Sequence, residues 1–253
     1  MSQADPTFPP LLTGHVVRGD VSPFVAACEG IRAGRFGAGD VVWSRNTTYA
    51  DLAIVLEPDV PLEQALQMIP VAMVASGDCL GALTPPQVAV TFHWPATIRV
   101  NGGQLGRIRA AAGHGKPAPD VVPDWLVIAI KLRLRHEGGD LEPGHNPDVT
   151  ALSEEGCKRL TRNELIESYC RHFLTWLNNW QDDGFRQVHG AWLFRTDKVN
   201  DDITVSLKDR KFEEKFLGLD DFGNLLLKSD DGQTTLLRLI ETLESPGEAA
   251  DSS

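Results

Sequence analysis

The sequence has no C-x-x-C pair, because its four cysteines, Cys28, Cys79, Cys157 and Cys170, are scattered along 253 residues. That spacing indicates neither a zinc site nor a disulfide framework, so free thiols in a reducing compartment are expected. No apolar run is long enough to cross a bilayer, and Met1-Ser2-Gln3-Ala4-Asp5-Pro6 lacks the basic and apolar regions of a secretion signal. A soluble, cytoplasmic chain without a membrane partner is therefore expected. Basic residues are in deficit: 24 Lys and Arg against 35 Asp and Glu leave a formal charge of −11. A chain of that sign is unsuited to neutralising phosphates along a nucleic acid, so no nucleic-acid partner is expected. The most local deficit is of carboxylates. From Cys79 to Pro119 there is no Asp or Glu, while Arg99, Arg107, Arg109 and Lys116 all fall inside that stretch. An anionic ligand would suit such a segment, and so would plain burial, since buried stretches carry few charges.

What is present inside the acid-free stretch has a clear local reading. Phe92, Ile98 and Val100 precede the turn pair Asn101-Gly102, and Leu105 and Ile108 follow it, which predicts two strands joined by a tight hairpin. Trp94-Pro95 interrupts the first of them, since proline offers no N–H to a ladder. A bend at that point would turn His93 and Trp94 off the sheet.

Elsewhere the pattern predicts an entry strand over Phe8 to Arg18 and a helix over Pro23 to Arg32. A glycine-rich loop, Gly34-Arg35-Phe36-Gly37-Ala38-Gly39-Asp40, leads into Val41-Val42-Trp43. A buried strand is expected over Leu52 to Leu56, and one helix from Pro61 to about Leu83, with Met68 and Met73 in the core and a kink if Pro70 lies inside. Trp125 to Leu134 reads as a further strand whose second half alternates Lys131, Arg133 and Arg135 with apolar residues. That alternation fits a solvated face on an edge-like strand. Residues 138–156 are rich in turns, among them Pro143-Gly144 and Asn146-Pro147. Thr161-x-x-Glu164 forms a capping box, followed by a stripe of Leu165, Tyr169, Phe173, Trp176 and Trp180 that Gly184 ends; packing against a sheet is its expected use. From Val199 onward short alternating segments predict a small β domain.

These motifs together resemble the biotin/lipoate A/B protein ligase family. Biotin protein ligases carry K-W-P-N-D, a strand, a turn and a K/R-hydrophobic-x-G-I strand; here His93-Trp94-Pro95-Ala96-Thr97 and Gln104-Leu105-Gly106-Arg107-Ile108 stand in that layout. His93 occupies the place of the lysine that contacts the acyl-adenylate, and Ala96 and Thr97 replace the Asn-Asp pair. The family's G-R-G-R-x-G-R-x-W loop has a thinned likeness in Gly34, Arg35, Gly37 and Trp43. Its V-I-G-x-G-I-N-V strand corresponds to a segment with Ala129 and Lys131 at the glycines and Arg133 at the asparagine. Gly218-Leu219-Asp220-Asp221-Phe222-Gly223-Asn224-Leu225-Leu226-Leu227 matches the C-terminal signature G-I-D-x-x-G-x-L-L-L.

The resemblance implies an α+β fold, a biotin protein ligase-like mixed sheet packed with helices over residues 1–198. A small SH3-like β-barrel over 199–245 and a disordered tail over 246–253 would follow. No helix-turn-helix precedes the ligase-like part, so repressor activity is not expected. The implied activity is ATP-dependent activation of a biotin- or lipoate-like acid, with Mg²⁺ on the triphosphate, and transfer to a lysine of a carrier domain. The implied catalytic groups are His93 and Arg107; the implied ligand-binding groups are Gly34, Arg35, Gly37, Trp43, Trp94, Pro95, Gly106, Arg109 and Lys131. The alternative is a non-catalytic module on the same fold that binds a small acyl or nucleotide ligand or docks on a carrier protein. Some members of the family dimerise through their sheet, which puts a homodimer among the expectations.

Overall fold

A computed structural model describes residues 5–19, 21–113, 118–136, 146–196 and 199–244. Lys116, the Pro143-Gly144 turn, the first four residues and the tail from Ser245 lie outside the described residues.

Seven strands make one mixed sheet in the order β1-β2-β3-β7-β6-β5-β4. They are β1 (Thr13–Val16), β2 (Asp40–Trp43), β3 (Tyr49–Leu56), β4 (Val90–His93), β5 (Thr97–Val100), β6 (Gly103–Ala112) and β7 (Leu126–Arg133). Only the β1–β2 pair is parallel. The entry strand is shorter than its apolar pattern predicts, because Pro9 and Pro10 have no N–H to donate to a ladder.

The Trp94-Pro95 bend is a full chain reversal. His93 pairs with Thr97 across it, so the expected hairpin is a three-stranded meander of β4, β5 and β6. The second reversal places Asn101 and Gly102 at φ 49° and 89°, the left-handed region those two residues enter at low cost.

Helix α1 (Pro23–Arg32) packs on one face of the sheet through Phe24, Ala27 and Cys28, against Val42, Ala53, Val55, Val127 and Ala129. The opposite face carries the larger core, which includes α3 (Met68–Leu83), α4 (Arg162–Asp183) and α5 (Phe185–Leu193). The single helix expected from Pro61 is divided into α2 (Leu62–Ala65) and α3. Pro70 sits in the first turn of α3, where a missing N–H removes no helical bond, and the kink is replaced by a break around Leu66–Gln67. Met68 and Met73 are buried as expected. The α2–α3 segment, Leu62–Leu83, has the length of a membrane span and holds an 18-residue stretch of mean hydropathy 1.4, but 78% of that stretch is buried inside the fold. A core helix is the direct reading of that burial.

Thr161 caps α4 by accepting from the Glu164 N–H, while the Glu164 carboxylate accepts from the Thr161 N–H at 2.8 Å. Gly184, at φ 71°, ends α4 and starts α5, a helix the sequence reading stops short of. Tyr169 and Phe173 are buried, and the stripe packs mainly on α3 rather than on strands. Trp176 and Trp180 donate their indole N–H groups to Asp78 and Gln67.

The remaining strands, β8 (Asp202–Leu207), β9 (Arg210–Leu219), β10 (Leu225–Lys228) and β11 (Thr234–Leu237), form a separate antiparallel sheet in the order β11-β10-β9-β8. Phe216, Leu225, Leu227 and Leu237 of this sheet belong to the same apolar cluster as Phe92, Trp94 and Trp192. Asp220 holds the Gly218–Asn224 turn by accepting from the Phe222 and Asn224 N–H groups, both at 2.9 Å.

Candidate functional site

Strand register places five polar side chains in one row. His93 is opposite Thr97, Thr97 opposite Arg107, Arg107 opposite Lys131, and Lys131 opposite Asp51. Directly paired residues share a face, so the row crosses β4, β5, β6, β7 and β3 on the side of the sheet that carries α1. One step along the strands the row becomes Arg109, Ala129 and Ala53, and α1 covers it. One step the other way lie Arg133 and Tyr49. Helix α1 thus closes half of this face, and the charged row lies beside it.

The cations of this face are held differently. Arg109 stacks on Phe24, its guanidinium carbon 4.1 Å from the ring centroid, and its Nε donates to Glu244 at 2.8 Å. The Arg133 guanidinium donates to the Thr150 carbonyl at 3.2 Å and, more loosely, to that of Gln104. The Lys131 ammonium lies 4.3 Å from the Tyr49 ring centroid, a cation–π contact. Burial lifts the Asp51 carboxyl to about 6, against the opposing pull of Lys131 and Arg109.

Two groups of predicted residues are not brought to the row. Gly34, Arg35 and Gly37 lie in the α1–β2 connection, where Gly34 takes φ 66° and the Arg35 N–H closes a turn on the Gly30 carbonyl. Gly39 at its end donates to Val55, four residues along β3 from Asp51, a separation of about 13 Å in an extended strand. Trp43 and Trp94 face the helix-covered core and are 2% and 3% exposed. Trp94 is therefore not turned off the sheet: its indole donates to the Gly223 carbonyl at 3.1 Å. Pro95 follows a cis peptide in the β4–β5 turn.

Gly106 has a packing reason of its own, since a Cβ there would lie 2.1 Å from the Lys131 carbonyl oxygen. The bare backbone lets β6 approach β7 next to Lys131. β7 lies between β3 and β6, so the edge-like strand expected for Lys131 and Arg133 is an interior one. The acid-free stretch is also not acid-free in space, because Asp51 comes from β3 and Glu244 from the far end of the chain. Those two carboxylates and Tyr49 were invisible as site residues; the only local sign was a polar Asp51 ahead of the run Leu52 to Leu56. Among the described residues no cluster of three or more His, Cys, Asp or Glu could hold a metal ion.

A seven-stranded mixed sheet with one helix over half of a charged face, followed by a small antiparallel sheet, defines the class of α+β protein. The chain belongs to the Biotin/lipoate A/B protein ligase family, whose model matches residues 8–194. It is 27% identical over 184 residues to the biotin--[acetyl-CoA-carboxylase] ligase of Paracoccus denitrificans, covering 72% of this chain and 75% of that one. A solved biotin protein ligase-like protein of unknown function from Silicibacter sp. TM1040 superposes with a TM-score of 0.83 at 38% identity, over 94% of this chain and 99% of that chain. The Aquifex aeolicus biotin protein ligase in complex with biotin and ATP shares the fold at a TM-score of 0.66 and 14% identity, over 90% and 94% of the two chains.

Proposed function

We propose that the protein activates a small biotin- or lipoate-like carboxylic acid with ATP and transfers the acyl group to a lysine of a carrier domain. The carrying observation is the row in which Arg107 and Lys131 are paired across adjacent strands with His93 two strands away. Joining a carboxylate to the α-phosphorus of ATP, with loss of pyrophosphate, develops negative charge that positioned cations stabilise. Attack by the carrier lysine then forms the amide and releases AMP. Mg²⁺ would arrive on the triphosphate, as is usual for a cation that keeps most of its water, rather than in a cage of protein carboxylates. The family, and the biotin and ATP named for the Aquifex aeolicus neighbour, support this reading. Such chemistry belongs where ATP and carrier proteins are found, in the cytoplasm. Family resemblance also supports a homodimer, which sedimentation would test.

ATP–pyrophosphate exchange with biotin, lipoate and octanoate tests the activity. Exchange is expected with one of these acids, and R107A should lower it by about two to three orders of magnitude. Absence of exchange with every acid would sink the enzymatic reading.

A non-catalytic acyl-binding module is the second reading, favoured by His93 at the place of the motif lysine and by Lys131 at the place of a glycine in the strand motif that the chain resembles. It predicts that an acid raises the melting temperature while exchange stays at background.

A further inference from the structure

Arg99 stands one step further from α1 than the charged row. It is opposite Thr91 on β4 and Gln104 on β6, and two residues along β5 from Thr97, about 7 Å in an extended strand. Ile98 and Val100 on either side of it are buried in the larger core, so the Arg99 side chain turns to the face that carries Arg107 and Lys131. On that face Arg109 is engaged by Glu244, and Arg133 by the Gln104 and Thr150 carbonyls. Arg99 is not engaged in this way. Its Nε–H is shut off from water with no acceptor, and among the described residues no carboxylate pairs with its guanidinium. A buried donor left without an acceptor is costly to hold, and an oxygen supplied from outside offsets that cost.

Cations in successive rows suit a ligand whose negative charge is extended, as in a chain of phosphates and unlike a single carboxylate. Helix α1 closes the face on the opposite side of the row, which leaves Arg99 on the side by which a leaving group can depart. We infer that Arg99 is a further binding residue of the activation step, holding the β- and γ-phosphates of ATP while Arg107 and Lys131 receive the reacting carboxylate and the α-phosphate. The inference rests on the acid-activation reading and adds to it a residue outside the motif positions. When the carboxylate oxygen attacks the α-phosphorus, the bond from that phosphorus to the bridging oxygen breaks and its electron pair leaves with pyrophosphate. Arg99 donates hydrogen bonds to the departing oxygens and transfers no proton. A planar guanidinium can meet two phosphate oxygens at once. Its cross-strand neighbours Thr91 and Gln104 are uncharged, so neither repels a phosphate there.

Calorimetric titration of the whole chain with ATP, AMP and pyrophosphate, each with Mg²⁺, tests this together with ATP–pyrophosphate exchange. R99A should weaken ATP and pyrophosphate by about tenfold or more and leave AMP within about twofold of the wild type. In exchange, its KM for ATP and for pyrophosphate should rise while the KM for the acid stays unchanged. R99M, which keeps most of the stem without the guanidinium, should show the same selective loss, and R99K a smaller one. The melting temperature without ligand should not fall in R99M, since the lost N–H had no acceptor, and it shows whether each variant is folded. ATP and pyrophosphate bound as in the wild type by a folded R99A or R99M overturn the inference, and so does an equal loss of AMP, which marks a merely structural role. If the wild type exchanges pyrophosphate in those cases, the acid-activation reading stands without Arg99. If the wild type binds neither ATP nor pyrophosphate, both fall.

Discussion

Asp51 makes the stability of this fold depend on pH in a direction opposite to most carboxylates. Its folded value of about 6 lies above the ordinary 3.8, so the folded state holds the proton more tightly than the unfolded chain does. The penalty is absent at low pH, grows between about 4 and 6, and is complete above 6, where it amounts to up to roughly 3 kcal/mol. D51N should therefore melt higher than the wild type at pH 7.5, and chemical denaturation should show the gap shrinking toward pH 4. A constant gap would remove the electrostatic account. Gly106 gives a second expectation. A methyl group 2.1 Å from the Lys131 carbonyl meets backbone rather than a flexible tip, so G106A should cost about 1 to 3 kcal/mol in urea denaturation. At this scale the sequence was only partly readable. Lys131, Arg107 and His93 stood out by motif, but Asp51 and Glu244 join them through pairing and chain return, which no local pattern encodes.

Among the elements, the most legible were those with local chemistry at their ends. Helix α1 begins at Pro23 and ends at Arg32 as read, and the α4 capping box has both of its hydrogen bonds. T161A should destabilise the protein by about 1 kcal/mol, with unchanged ligand affinity, since α4 packs on the face opposite the charged row. α5 escaped notice because it follows Gly184 directly, and a helix end is ordinarily read as the start of a loop; its signal was Phe185, Val188 and Trp192 on one side. The break between α2 and α3 also depends on distant partners, with Gln67 donating to the Asp221 carbonyl and accepting from Trp180. Cys79 and Cys170 lie buried on α3 and α4, and burial raises their thiols to about 11 and about 12. Cys28 on α1 is likewise pushed up to about 12. Alkylation at pH 8 followed by mass mapping should leave these three unlabelled in the native protein and labelled in urea. Rapid native labelling of any of them would contradict the packing described for its helix.

Across the whole molecule the two sheets share one core. Trp94 reaches Gly223, the Phe92 N–H donates to the Arg195 carbonyl, and Arg195 in turn pairs with Asp78 at 2.7 Å. Thermal unfolding followed by near- and far-ultraviolet circular dichroism should therefore give one coincident transition. W94F, which strips the donor from the Gly223 carbonyl, should lower stability by about 1 to 3 kcal/mol; two separated transitions in the wild type would refute a shared core. That union was not legible in the sequence, where residues 1–198 and 199–245 read as successive units. The contact between Glu244 and Arg109 carries this closure to the last described residue, whose N–H also donates to the Ala110 carbonyl at 3.0 Å. For protein production this makes the carboxyl end a poor place to trim: ending the chain at Leu243 would uncover an arginine next to the charged row and change what anions the purified material picks up.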